Sequence, residues 1–169
     1  AYPLPFDAAA FDSHEKFLED CTQALGESPE GIVLCFGYMV EQEEAQKDFA
    51  KLHQTININL IGAMSILEKF AARFETRKRG FITVLSSVAG DRGRQSNYIY
   101  GASKAGLSAY LQGLRNRLHK ANVSVTTIKP GFVDTKMTYG LPLPGPLVAT
   151  PQAAGRAIYR ATVKGKSEA

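Results

Sequence analysis

Three short runs of apolar and β-branched residues mark the chain: GIVLCFG (31–37), GFITVLSS (80–87) and NVSVTTIKPG (122–131). Each is closed by Gly, Ser or Pro and lacks the strict alternation of a half-exposed strand. Each therefore predicts a strand buried on both faces. The stretches between them change period. From Ser13 to Leu25 the apolar positions Phe17, Leu18, Cys21 and Leu25 follow helical spacing. So do Leu60, Met64, Leu67, Phe70, Ala71 and Phe74 between Asn57 and Phe74, and Leu107, Tyr110, Leu111, Leu114 and Leu118 between Tyr100 and His119. Thr150-Pro151 combines a hydroxyl cap with a proline at the first helical position, which predicts a helix running to about Val163.

Strand, helix, strand, helix, strand with short links implies right-handed crossovers and a parallel sheet. The expected fold class is α/β, a doubly wound parallel sheet in three layers, with all 169 residues in one domain. YPLPF (2–6) reads as the end of a further strand. The chain opens almost inside that strand and closes in the polar KGKSEA, so an N-terminal βαβ part and a last strand are expected outside it. In such sheets ligands bind beyond the carboxyl ends of the strands. That directs attention to Gly37, Ser86-Ser87 and Pro130-Gly131.

Composition narrows the classes. The 44% apolar content supports a real core, and no apolar run approaches the ~20 residues that would span a bilayer. Cys21 and Cys35 have neither zinc-site spacing nor the density of a disulfide framework, which favours a reducing, cytoplasmic setting. His14, His53 and His119 are scattered, so no metal site is expected. The net charge of +4 is mild, and its clusters, such as Arg77-Lys78-Arg79, fall at probable helix ends. They read as solvated surface rather than a nucleic-acid patch.

The candidate chemistry lies in SSVAGDRGRQSNYIYGASK (86–104). Residues four apart share a helix face, so Tyr100 and Lys104 point into one space, whereas Tyr98 has only Ala102 at the matching place. A phenol titrates near 10 in water; a neighbouring ammonium is expected to lower that value and let Tyr100 exchange protons near neutral pH. Alone, such a pair is weak evidence, since a tyrosine packed on a lysine stem has the same spacing. Ser87, at a strand end, could donate to a substrate carbonyl; Ser86 reads as a residue that satisfies its own turn. Asn59, inside an apolar helix, is expected to bend it and to hold a water near Lys104. Pro130-Gly131 removes a donor and permits close approach to main chain.

Taken together, Ser87, Tyr100-Gly-Ala-Ser-Lys104, IKPGFVDT (128–135) and Asn59 in NINLIG resemble the short-chain dehydrogenases/reductases, over nearly the whole chain. The resemblance implies a Rossmann-like domain that binds NAD(H) or NADP(H) and moves hydride to or from a carbonyl or alcohol carbon. It implies acid/base work for Tyr100, ribose binding and phenol tuning for Lys104, substrate orientation for Ser87 and a relay anchor in Asn59. Asp7 falls where the family contacts adenine and Gly37 beside the adenosine ribose. Pro130, Gly131, Val133 and Thr135 flank the nicotinamide and its phosphates, and Gln95 and Tyr98 edge the substrate pocket. The family's Asn-Asn-Ala-Gly is here Leu34-Cys35-Phe36-Gly37, a departure that bears on the adenosine contacts. No Gly-x-x-x-Gly-x-Gly occurs, so the phosphate loop and the NAD/NADP selector are expected outside these residues.

CFG together with the 86–104 run is further similar to the reductase group of decaprenylphosphoryl-ribose epimerisation. That likeness implies a keto-sugar, small or lipid-linked, with 138–149 as the substrate lid. The resemblance also implies a homodimer or homotetramer, with membrane contact only through a C-terminal segment beyond this chain. A non-catalytic nucleotide-sensing or scaffold protein on the same fold is the alternative.

Overall fold

The structure is a computed structural model and describes residues 1–140 and 145–169. Three strands, β1 (Gly31–Leu34), β2 (Gly80–Leu85) and β3 (Val123–Ile128), form a parallel sheet in the order β1-β2-β3. The register pairs Ile32 with Ile82 and Leu34 with Val84, and Ile82 with Val125. Because side chains alternate between faces, these residues lie on one side of the sheet. On that side they meet the long helices α4 (Ala63–Arg77) and α5 (Tyr98–Leu118) in a single core that includes Leu67, Phe70, Phe74, Leu107, Leu111 and Leu118. Each fully buried side chain of this kind stabilises the fold by about 1.5–3 kcal/mol. Helix α1 (His14–Leu25) packs on α4.

The opposite face carries Phe81, Thr83, Ser124 and Thr126. Helix α6 (Pro151–Val163) covers part of it, and the Thr83 and Thr162 hydroxyls meet at 2.9 Å. Helices on both faces of a parallel sheet make the doubly wound arrangement expected from the sequence. Thr150 caps α6 as its sequence predicts, its hydroxyl accepting from the Ala153 N–H at 3.2 Å.

Two expectations need correction. YPLPF forms no strand: Pro3 and Pro5 each lack the N–H that a ladder requires, and the segment runs as irregular chain. The stretch expected as a helix from Asn57 is the middle of a much longer one. It starts with α3 (Phe49–Ile56), capped by Asp48, passes through a π-helical turn at Asn57–Gly62 and continues as α4. The C-terminal residues return to the β3 edge. Thr127 and Glu168 form a parallel bridge, and Lys129 N–H donates to the Ala169 carbonyl at 2.7 Å. Arg115 reinforces this edge, donating to the carbonyls of Val125 and Ser167 and to the Thr127 hydroxyl. A shorter pair, β4 (Phe132–Val133) and β5 (Val148–Ala149), lies beyond β3. Of the expected lid at 138–149, residues 141–144 lie outside the described residues.

Candidate active site

The carboxyl end of β2 runs straight into the candidate chemistry. After Leu85 the chain passes Ser86 and Ser87 and makes a tight turn at Val88–Gly90. That turn lies against α5 because two positions have no side chain. A Cβ on Gly90 would sit 2.7 Å from the Ala105 nitrogen, and one on Gly101 would sit 2.7 Å from the Ala89 carbonyl oxygen. Backbone against backbone at that distance tolerates only glycine. The contact brings the strand-end hydroxyl to the helix that carries Tyr100 and Lys104.

Three polar side chains gather at this strand end. Ser87 is 9% exposed, and its oxygen accepts from the Ala89 N–H at 3.1 Å, which leaves the hydroxyl proton free to point outward. The Ser87 side chain lies close enough to the Tyr100 phenol to draw its titration down. Lys104 is 3% exposed; its Nζ donates to the Leu85 carbonyl at 2.9 Å and stands 5.8 Å from the centre of the Tyr100 ring. Burial pulls the Lys104 ammonium down to about 8.

The expected tuning of Tyr100 is corrected here. Burial pushes its phenol above the ordinary range, opposed by the Ser87 side chain. The reason is geometric: the ammonium lies over the ring face and directs a donor to Leu85 rather than to the phenolic oxygen.

Asn59, 1% exposed, sits in the π-helical turn, a distortion that often accompanies functional sites. Its side chain clamps the main chain after β1. Oδ1 accepts from the Tyr38 N–H at 2.7 Å, while Nδ2 donates to the Tyr38 carbonyl at 2.8 Å and to the Ser103 hydroxyl at 3.1 Å. Ser103 in turn donates to the Tyr100 carbonyl at 2.7 Å. Both amide hydrogens are thus engaged by protein, while Oδ1 keeps a second lone pair. Gly37 faces the same space: a Cβ there would have Asn59 Oδ1, Met137 Cε and Lys104 Nζ within 3.7 Å. Ser86 is also corrected, since it does not serve its own turn; its hydroxyl donates to the Lys104 carbonyl and meets the Ser108 hydroxyl at 2.7 Å.

The remaining candidates are more dispersed. Pro130 accepts from the Val88 N–H, and Gly131 opens onto space with no atom within 4 Å of a hypothetical Cβ. The Val133 carbonyl and Thr135 are knitted together by the Thr138 hydroxyl, which donates to Val133 at 2.6 Å and accepts from the Thr135 N–H at 3.1 Å. Asp7 is exposed, and its carboxylate accepts from the Ala9 N–H; the same loop crosses the π-helical turn, where the Ala8 carbonyl occupies the space a Cβ on Gly62 would need. Gln95 is exposed, and Tyr98 donates to Gln46 at 3.2 Å. Sequence reasoning missed Tyr38, Gln42, Gln46, Ser103 and Ser108. Only Ser103, inside the Tyr-Gly-Ala-Ser-Lys run, carried a local signal.

The family model described as short chain dehydrogenase matches residues 1–142. The chain belongs to the short-chain dehydrogenase family. Among its relatives, an uncharacterized oxidoreductase of Mycobacterium tuberculosis is 40% identical over 162 residues, covering 95% of this chain and 64% of that protein. The 3-oxoacyl-acyl-carrier-protein reductase MabA of Mycobacterium bovis is 34% identical over 91 residues, 54% of this chain and 37% of that one. The crystal structure of gox2181 superposes with a TM-score of 0.83 at 19% identity, over 94% of this chain and 68% of that one, a likeness of fold. The chain thus spans under two thirds of the length of these curated relatives.

The family's nicotinamide cofactor can be tested against the residues present. Phe36, which replaces the family's small residue, is partly buried against the core, its ring tilted on Phe6 at 5.6 Å. Lys104 has three donor hydrogens, and the Leu85 carbonyl is its one acceptor among the described residues. A Cβ on Gly37 would sit 3.7 Å from the Lys104 Nζ, and one on Gly131 would meet no atom within 4 Å. These residues fit the group.

Proposed function

We propose that the protein of which this chain is part is an NAD(P)-dependent oxidoreductase acting on a carbonyl or alcohol carbon, with a keto-sugar, small or lipid-linked, as the substrate class. The observation that carries the reading is Ser87 at a strand's carboxyl end beside the Tyr100 phenol, with the Lys104 ammonium 5.8 Å from the Tyr100 ring centre. Bound nicotinamide supplies the hydride. Ser87, its oxygen fixed by Ala89, orients the substrate oxygen. Tyr100 delivers a proton to that oxygen in reduction and removes it in oxidation. The Lys104 ammonium binds the ribose hydroxyls. Asn59 holds the chain at Tyr38 and, through Ser103, the first turn of α5. Asp7 and Gly37 line the adenosine side; Pro130, Gly131, Val133 and Thr135 line the nicotinamide side; Gln95 and Tyr98 border the substrate, with 138–149 as lid. The protein works in the cytoplasm as a homodimer or homotetramer. The relatives named as oxidoreductases do not favour the non-catalytic alternative.

The test is Tyr100→Phe in the full-length protein, assayed with NADH and NADPH over a panel of keto-sugars and small ketones. Turnover is expected to fall about 10³-fold, with cofactor affinity kept within a few-fold. Turnover near the wild-type rate would overturn the reading.

A further inference from the structure

The first turn of α5, which bears Tyr100, is not capped by its own sequence. Asn97 occupies the cap position yet makes no side-chain hydrogen bond to the helix, although asparagine is among the best residues for that task. The missing acceptor comes from far away. Gln42, in the short helix α2 (Gln42–Ala45), places its Oε1 3.1 Å from the Ile99 N–H and accepts from it. The donor fixes the amide's orientation, since the reverse would set N–H against N–H. Just past α2, Gln46 accepts the Tyr98 hydroxyl. Gln42 is 8% exposed and Ala45 3%, so the bracket is seated against the helix rather than lying loosely on it.

We propose that Gln42 is a positioning residue for Tyr100. Reaching across from α2, it caps the helix one residue before the phenol's own position and sets how that phenol meets Ser87. The turn is then gripped on two sides, by Gln42 at its start and by the 88–90 turn packed on Gly101. The proposal rests on the acid/base reading of Tyr100. It matters because a misplacement of about 1 Å at a reacting group can cost 10²-fold in rate.

The structure also indicates which variant should rescue the function. Gln42 Nε2 is buried and has no partner among the described residues. Gln42→Glu therefore gives up no hydrogen bond and keeps the acceptor, and a carboxylate is favourable at a helix N-terminus. Gln42→Met keeps the length and removes the acceptor.

The experiment, in the full-length protein, measures amide hydrogen exchange at Ile99 and Tyr100 together with steady-state kinetics on the best ketone of the panel above. For Gln42→Met, exchange at Ile99 is expected to accelerate at least tenfold. Its kcat should fall about tenfold or more while the KM for the nicotinamide nucleotide stays within twofold. Gln42→Glu should restore both within about threefold. Should Gln42→Met fail to fold, Gln42→Asn, too short to reach Ile99, carries the same two expectations. Wild-type exchange at Ile99, or fast exchange with undiminished kcat, would overturn the proposal. If Tyr100→Phe kept its turnover while Gln42→Met lost Ile99 protection, the reading of Tyr100 would fail and the clamp itself would stand.

Discussion

Tyr100 and Tyr110 lie ten residues apart on α5, each beside a cation, and their phenols are held in opposite ways. Tyr110 donates to Glu68 at 2.8 Å; Glu68 also pairs with Arg117, which forms a second bridge to Glu75. Burial and the Glu68 carboxylate push the Tyr110 phenol far above its ordinary range, with Arg117 opposing only in part. Tyr100 has no carboxylate partner among the described residues. Its phenol is raised by burial alone and drawn back by the Ser87 hydroxyl. The difference teaches that a nearby cation does not by itself make a tyrosine reactive. An anionic acceptor locks the proton on; a hydroxyl donor leaves it less tightly held, though still above the ordinary range.

Lys104→Met breaks the comparison most severely. Turnover should fall about 10³-fold, and the protein should become more stable at pH 7, by an amount on the order of 1–3 kcal/mol. The sign follows from the depressed titration of Lys104, at about 8 when folded against 10.5 as its ordinary value. Below pH 8 the folded state carries a charge that water would solvate better. Between pH 8 and 10.5 the folded state has released the proton that the unfolded chain still holds, so the penalty fades. Thermal denaturation of both proteins from pH 7 to pH 10 checks this, and the gain should shrink as pH rises. A variant less stable than wild type at pH 7 would contradict it.

Ser87→Ala sharpens the comparison by removing the hydroxyl that draws the Tyr100 phenol back. Turnover should drop about 10²-fold, and the basic limb of the pH–rate profile should move upward as the Tyr100 phenol rises further. Tyr110→Phe has the smallest effect. It should leave turnover within twofold and cost about 1 kcal/mol of stability, read by urea denaturation, through loss of the bond to Glu68. A Tyr110→Phe protein with collapsed turnover would remove the distinction between the two tyrosines.

Much of this was legible in the chain itself, for identifiable reasons. The buried strands announced themselves because β2 and β3 are flanked on both faces, and α6 because Thr150-Pro151 is a local cap. The Tyr100–Lys104 pair was legible because helical spacing is local. What escaped was long-range. The Gln42–Ile99 bond joins residues 57 apart and the Asn59–Ser103 bond residues 44 apart, and neither partner carries a pattern that names the other. The direction of the Tyr100 shift escaped for the same reason: it depends on where the Lys104 ammonium ends, and that is fixed by the Leu85 carbonyl on another element. YPLPF has the apolar character of a strand end, but Pro3 and Pro5 lack the N–H that a ladder requires.

The most direct measurement is a pH titration of the two phenols, followed by NMR at isotope-labelled tyrosine Cζ in the full-length protein, with Tyr100→Phe and Tyr110→Phe assigning the signals. Tyr100 should titrate below Tyr110, move upward in Ser87→Ala and leave Tyr110 unchanged there. A Tyr100 signal that titrates at or above Tyr110, or that ignores the loss of Ser87, would contradict the claim that the Tyr100 proton is the less tightly held of the two.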